Sequence, residues 1–278
     1  MIPQEAASEE EGLIPRAIRD LFSQVRQKRQ ADPNAKITVT CSYVQLYNEK
    51  VYDLLNSALY KQQGKRLEGV PGLRLRWGGA QEDVTIENLF CFECQGPEDA
   101  FRLFWRGLKN KVMAAHKMNN SSSRSHCILS FTVQQTDAKN PDTTIVSKLQ
   151  LVDLAGSERQ STAGTHKDPA MMKECIEINK SLFTLRQVIA ALTDNASSKE
   201  NYVPYRESKL TSILRQSLGG NSFTLMLACI TPLDEYIEEN LSTLKYASRA
   251  SHISNVPTIN QDPKLKLINE QRKTIEKL

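Results

Sequence analysis

Apolar residues recur along this chain in two rhythms, one of three to four residues and one of two, and the rhythms alternate. "GLIPRAIRDLFSQVRQKRQ" puts Ile14, Ile18, Leu21, Phe22 and Val25 at helical spacing, with Pro15 in the first turn. "KITVTCSYVQLYNEKVYDLL" (36–55) is rich in β-branched and aromatic residues and predicts a strand. Residues 56–83, rich in glycine and charge, predict an exposed excursion, and "VTIENLFCFECQ" returns to strand character. After a Gly-Pro start, Phe101, Phe104, Trp105, Leu108 and Val112 predict a helix with one apolar face. "HCILSFTVQQT" and "TTIVSKLQLVD" predict two strands separated by a polar Asp/Asn/Pro turn. The clearest helix spans Ala170 to Leu192, where Cys175, Ile178, Leu182, Leu185, Ile189 and Leu192 step by threes and fours. A polar loop leads to a short helix in "YRESKLTSILRQSL". "SFTLMLACI" then has the unbroken apolar run of a strand covered on both faces, and "EYIEENLSTLKYASRAS" predicts a last amphipathic helix. Strands alternating with helices predict an α/β fold, a central, mainly parallel twisted sheet between helical layers.

Composition narrows the function. The 278 residues are 40% hydrophobic and 24% charged, ordinary for a water-soluble globular domain with room for a core. A net charge of +4 is too small for a generic polyanion binder, so neither nucleic acid nor membrane is expected as a partner, and any acidic partner must meet a local patch. No apolar run reaches the roughly 18 residues of a membrane span, and "MIPQEAASEEEG" has no secretory character, which points to the cytoplasm. Residues 1–11 are expected to be disordered. Cys91 and Cys94 form a lone C-x-x-C, read as two small side chains rather than half of a metal site.

Two stretches carry candidate chemistry. In "SKLQLVDLAGSER" an apolar strand ends in Asp153, with Gly156 three residues on. A carboxylate at a strand's C-terminal end can reach a phosphate-bound Mg²⁺ through water, and a glycine beyond it can bring its N–H against the terminal phosphate. Alone, Asp-x-x-Gly is better read as a strand that ends in an Asp-containing turn. "MNNSSSRSHCIL" adds hydroxyls able to ligate Mg²⁺ or bond phosphate oxygens, and Arg124 is a natural partner for Glu158. Such a pair would latch the two loops when a phosphate draws both inward.

"NNSSSRSH", "LVDLAGSER", "INKSL", "VPYRESKLT" and "SLGGNS" occur together in the order and spacing of kinesin motor domains, and the resemblance runs from "GLIPRAIRDLF" to "NLSTLKYASRA". It implies a P-loop NTPase fold of the kinesin-motor type and microtubule-stimulated hydrolysis of ATP with Mg²⁺. Asn119, Ser122, Ser123, Arg124, Ser125 and His126 match switch I, with Ser123 approaching Mg²⁺. Asp153, Gly156 and Glu158 match switch II, with Asp153 facing the metal through water and Arg124–Glu158 as the bridge between switches. The helix over 170–192 and the segments after it resemble the microtubule-binding face. Lys173, Lys180, Arg186, Lys199, Arg206, Lys209 and Arg215 supply the charge for acidic tubulin there, and Tyr202 and Tyr205 add contact area. Ser212 stands where many kinesins carry a basic residue, which implies reduced affinity.

The resemblance divides the chain into a partial motor domain over 12–252 and a neck linker with the start of a neck helix over 253–278. Asn255 to Asn260 would be the segment that docks when the switches close. Ile268, Ile275 and Leu278 give only a heptad and a half, so any homodimer would form through sequence beyond residue 278. One part is missing: G-x-x-x-x-G-K-[ST] occurs nowhere, the nearest match being "QQGKRL" at 62–67. Two expectations remain open, an ATPase cut short at its N-terminus with little activity alone, and a nucleotide-independent microtubule binder with relic switches. Either would act on microtubules in the cytoplasm.

Overall fold

The computed structural model describes residues 11–56, 71–78, 83–117, 125–136, 144–156, 169–194 and 202–260, together with 271 and 275. The expected disorder of residues 1–11 lies outside them except for Glu11, and the expected start of a neck helix lies outside them except for residues 271 and 275.

Helix α1 (Leu13–Ala31) buries Ile18, Phe22 and Val25, the residues its periodicity selects. The long apolar run at 36–55 is a hairpin, β1 (Lys36–Tyr47) and β2 (Lys50–Asp53), turned at Asn48 and Glu49, both with positive φ (51° and 52°). Strand β3 (Leu75–Gly78), inside what the sequence read as an exposed excursion, pairs with β4 (Asp83–Ile86), which falls largely in the stretch read as returning to strand character. Strand β5 (Phe92–Glu93) pairs with β1, and helix α2 (Pro97–Lys117) packs on the same strand. Phe101 and Phe104 of α2 are buried as expected, whereas Trp105 is 55% exposed. Strands β6 (His126–Thr136) and β7 (Thr144–Asp153) come next, followed by helices α3 (Pro169–Asp194), α4 (Lys209–Ile213) and α5 (Ile237–Ala250).

The main sheet has the order β2-β1-β6-β7, with β5 beside β1. Odd-numbered residues of β1 and β6 (Val39, Cys41, Tyr43, Cys127, Leu129, Phe131) face a core shared with α1 and α2. Even-numbered ones (Val44, Leu46, Ile128) face α3 and α4 through Leu185, Val188, Ile189 and Leu210. This is the layered α/β arrangement expected. Strand direction differs from expectation, because every described pair is antiparallel. The connections explain it for two of the pairs: β1 reaches β2 through two residues and β6 reaches β7 through residues 137–143, both too short for a helical crossover.

The run "SFTLMLACI" also departs from expectation. Residues 223–230 form neither helix nor strand, and Phe223 and Leu225 are 93% and 82% exposed. Among the described residues β7 pairs on one side only, so its outer edge and this run flank a cleft of about 2910 Å³. No described helix is long and apolar enough to cross a membrane.

Candidate functional site

Cys127 of β6 stands opposite Asp153 of β7 in the ladder, so the strand entry at 125–126 and the strand exit at 153–156 share one end of the sheet. A hydrogen bond joins them: the Ala155 N–H donates to His126 Nδ1 at 2.8 Å. His126 Nε2 lies 2.8 Å from Ser181 Oγ of α3. Burial pulls the imidazole down to about pH 4, more than the nearby Asp153 carboxylate raises it, so the ring is neutral at physiological pH. Ser125, on the other side of the strand entry, is buried, and its Oγ accepts from Gln45 Nε2 at 2.9 Å. Gln45 Oε1 is buried without a hydrogen-bond partner among the described residues.

Asp153 ends its strand with the side chain 68% exposed and forms an ion pair with Lys111 of α2, Nζ to Oδ2 at 2.9 Å. Burial works against the Lys111 charge, but Cys127 and the Asp153 carboxylate outweigh it and hold the ammonium pKa above its ordinary value. Cys127 is pushed up to about 11, chiefly by burial. No described group of three His, Cys, Asp or Glu side chains could hold a metal unaided. Gly156 directly follows Ala155. Asn119, Ser122, Ser123, Arg124 and Glu158 lie outside the described residues, and with them the Arg124–Glu158 pair. Of the candidate residues, the structure brings together Ser125, His126, Asp153 and Gly156. Sequence reading missed Lys111 and Gln45, whose partners are 42 and 80 residues away in the chain. No local pattern signals either one.

The expected basic face falls on α3, α4 and the described residues just before α4. Lys180 and Arg186 are exposed on α3, and the Arg186 guanidinium lies 5.9 Å from the Tyr246 ring of α5. Arg206 and Arg215 flank Trp77 of β3 at 4.7 and 5.7 Å, and Arg215 also covers Tyr205 at 5.5 Å. The β3–β4 hairpin is thereby attached to the basic face, a partner invisible in the sequence. Tyr202 is exposed and Lys209 half-buried; Lys199 and the side chain of Lys173 lie outside the described residues. Ser212 is an internal residue. It is buried, with its hydroxyl donating to the carbonyls of Tyr205 and Ser208.

Residues 255–260 run beside the 219–224 turn. Asn255 accepts from the Gly219 N–H at 2.7 Å and donates to the Ser217 carbonyl, and the Val256 N–H donates to the Gly220 carbonyl. At the far end the Asn260 carbonyl accepts from Val146 N–H of β7 at 3.0 Å. The lone C-x-x-C forms no pair: Cys94 is buried, Cys91 exposed, and both are free thiols.

The sequence model of the kinesin motor domain matches residues 2–253. Among curated proteins, the kinesin-like protein KIF14 of Homo sapiens is 41% identical over 280 residues, covering 98% of this chain and 16% of its own length. KIF16B of Homo sapiens is 42% identical over 281 residues, covering 98% of this chain and 20% of its own. The chain therefore spans less than a quarter of the curated relatives it matches. Among solved structures, a fast kinesin superposes with a TM-score of 0.77 at 33% identity, over 91% of this chain and 66% of that one. A KIF14 dimer with AMP-PNP in complex with a microtubule gives 0.79 at 39% identity, over 95% and 71%. With one family covering nearly the whole sequence and its solved members sharing the fold, this chain belongs to the kinesin motor domain family.

Proposed function

We propose that this chain is the sensing and track-binding part of a microtubule motor domain. The observation that carries the reading is the shared sheet end: Cys127 stands opposite Asp153 and Ala155 is bonded to His126, so the strand entry at 125–126 lies beside the strand exit at 153–156. Loops on opposite faces could not answer to one phosphate. In this reading Asn119, Ser122 and Ser125 contact the nucleotide and Ser123 approaches Mg²⁺. Asp153 faces the ion through water, Gly156 offers its N–H to the terminal phosphate, and Arg124 pairs with Glu158. Lys173, Lys180, Arg186, Lys199, Tyr202, Arg206, Lys209 and Arg215 meet acidic tubulin, and residues 255–260 dock as the neck linker. The location is the microtubule cytoskeleton.

The residues present fit only half of an ATP–Mg²⁺ site. Asp153 is an exposed carboxylate suited to an ion held mainly by phosphate oxygens and water. The backbone cradle and lysine that supply most phosphate affinity have no counterpart in the sequence. This supports the second reading, nucleotide-independent binding, for the chain acting alone. Co-sedimentation with microtubules at low salt tests the track face: Arg206→Ala with Lys209→Ala should weaken binding about 5-fold or more, as loss of two steering charges does. Unchanged binding would sink the surface. ATP turnover by the same protein should stay negligible with and without microtubules, and stimulated turnover would refute the nucleotide-independent reading.

A further inference from the structure

We propose that His126 is a positioning residue that ties the 154–156 segment to helix α3, accepting the Ala155 N–H on Nδ1 and donating from Nε2 to Ser181 Oγ. The proposal rests on the reading above for the roles of segment and helix, but the linkage itself stands on geometry.

Three elements meet at one buried ring. The Ala155 N–H can only donate, so Nδ1 must be the bare nitrogen of a neutral imidazole, and its proton sits on Nε2. At 2.8 Å from Ser181 Oγ, that Nε2–H donates to the hydroxyl. His126, Ala155 and Ser181 are all buried, so water cannot take over either bond, and a ring that lost one would keep an unpaired polar nitrogen. Moving the Ala155 peptide therefore pulls the ring with it. The strand entry acts as the fixed pivot, because Gln45 of β1 grips the neighbouring Ser125 at 2.9 Å.

The far end of the link is equally constrained. Ser181 lies on the inward face of α3 with Thr184, Leu185 and Val188, all buried, while Lys180, Phe183 and Arg186 face outward. A shift at Ser181 thus moves a packed helix face, and the outward basic side chains ride on the same helix. Two loops that sense a phosphate need a mechanical route to the track face, and a rigid ring with two opposed nitrogens supplies one without any charge.

The test uses the chain as it stands. In two-bond ¹⁵N–¹H spectra, the histidine signal lost in His126→Asn should report the Nε2–H tautomer at pH 7; an Nδ1–H tautomer or an imidazolium overturns the proposal. Hydrogen exchange reads the coupling. Ser181→Ala does not touch Ala155, yet it should speed exchange of the Ala155 amide about 5-fold, with Ser181→Thr restoring it. An Ala155 amide unmoved by Ser181→Ala overturns the link. The same Ser181→Ala protein in microtubule co-sedimentation separates the two layers. Weakened binding supports the route to the track face, while unchanged binding with altered exchange leaves the ring linkage standing and sinks α3 as the gripping helix.

Discussion

Glu49 occupies a position where a two-residue hairpin turn ordinarily wants glycine. Its φ of 52°, after Asn48 at 51°, makes a turn with both central residues left-handed, and a side chain there costs about 1 kcal/mol. The compensation is tertiary. Glu49 Oε1 accepts from Ser208 Oγ at 3.0 Å and Oε2 accepts from the Lys209 N–H at 2.9 Å. The carboxylate therefore sits on the first turn of α4, whose cap is Ser208, and pins the β1–β2 hairpin to the basic face. Bonds to a charged acceptor contribute about 1.5–3 kcal/mol each, and partial exposure of this pair brings the sum to about 2–3 kcal/mol. Glu49→Ala should lose that amount. Glu49→Gly should lose the same bonds but recover about 1 kcal/mol of turn strain, and Glu49→Gln, keeping one acceptor, should lie between wild type and Gly. With a denaturant slope of about 3 kcal/mol/M, the alanine variant's urea midpoint by circular dichroism should fall by about 0.8 M. An alanine variant as stable as wild type, or a glycine variant below alanine, would refute the argument.

Two other consequences are measurable. His126 resists protonation until about pH 4 in the folded chain but titrates near 6.5 when unfolded, so its contribution to stability is full above pH 6.5 and is lost as pH falls toward 4. The loss amounts to about 3 kcal/mol, and His126→Asn should remove this part of the urea-midpoint slope; a parallel slope in both proteins would contradict the buried neutral ring. The exposed run Phe223, Leu225 and Leu227 should bind a fluorescent apolar dye in native buffer, and Phe223→Ser with Leu225→Ser should cut the signal at least by half. Unchanged fluorescence would place the apolar surface elsewhere.

The helices were legible because their signal is local. Ile18, Phe22 and Val25 in α1, and Leu185 and Ile189 in α3, lie where the periodicity put them. Trp105 misled because it falls on the same arc as Phe101, yet it leans its ring on Phe104 at 5.1 Å and stays half outside. The β1–β2 hairpin was hidden because its turn is Asn-Glu, and the reason a glutamate is tolerated lies 159 residues away at Ser208. The same holds at the site. Asp153 and Gly156 could be picked out from a strand ending in Asp-x-x-Gly, whereas Lys111, Gln45 and the Ser181 end of the His126 link are set by tertiary pairing alone.

The misread strand has a different lesson. A nine-residue apolar run predicts cover on both faces, and residues 223–230 are bare on much of theirs. The pattern encodes an environment, and the described residues supply only part of it. The open edge of β7 borders the same cleft, and β7 is the strand that ends in Asp153. Among the described residues no strand pairs along that edge, where the Val146 N–H is taken by the Asn260 carbonyl, so the end at Asp153 has β6 alone as its strand neighbour. Lys111 partly makes up for this by gripping the Asp153 carboxylate from α2. Whatever pairs along that edge would therefore do two things at once, covering apolar surface and fixing the Asp153 carboxylate. Stability and the position of the proposed metal-facing carboxylate thus meet at one strand, and a segment that pairs there should raise the first and fix the second together.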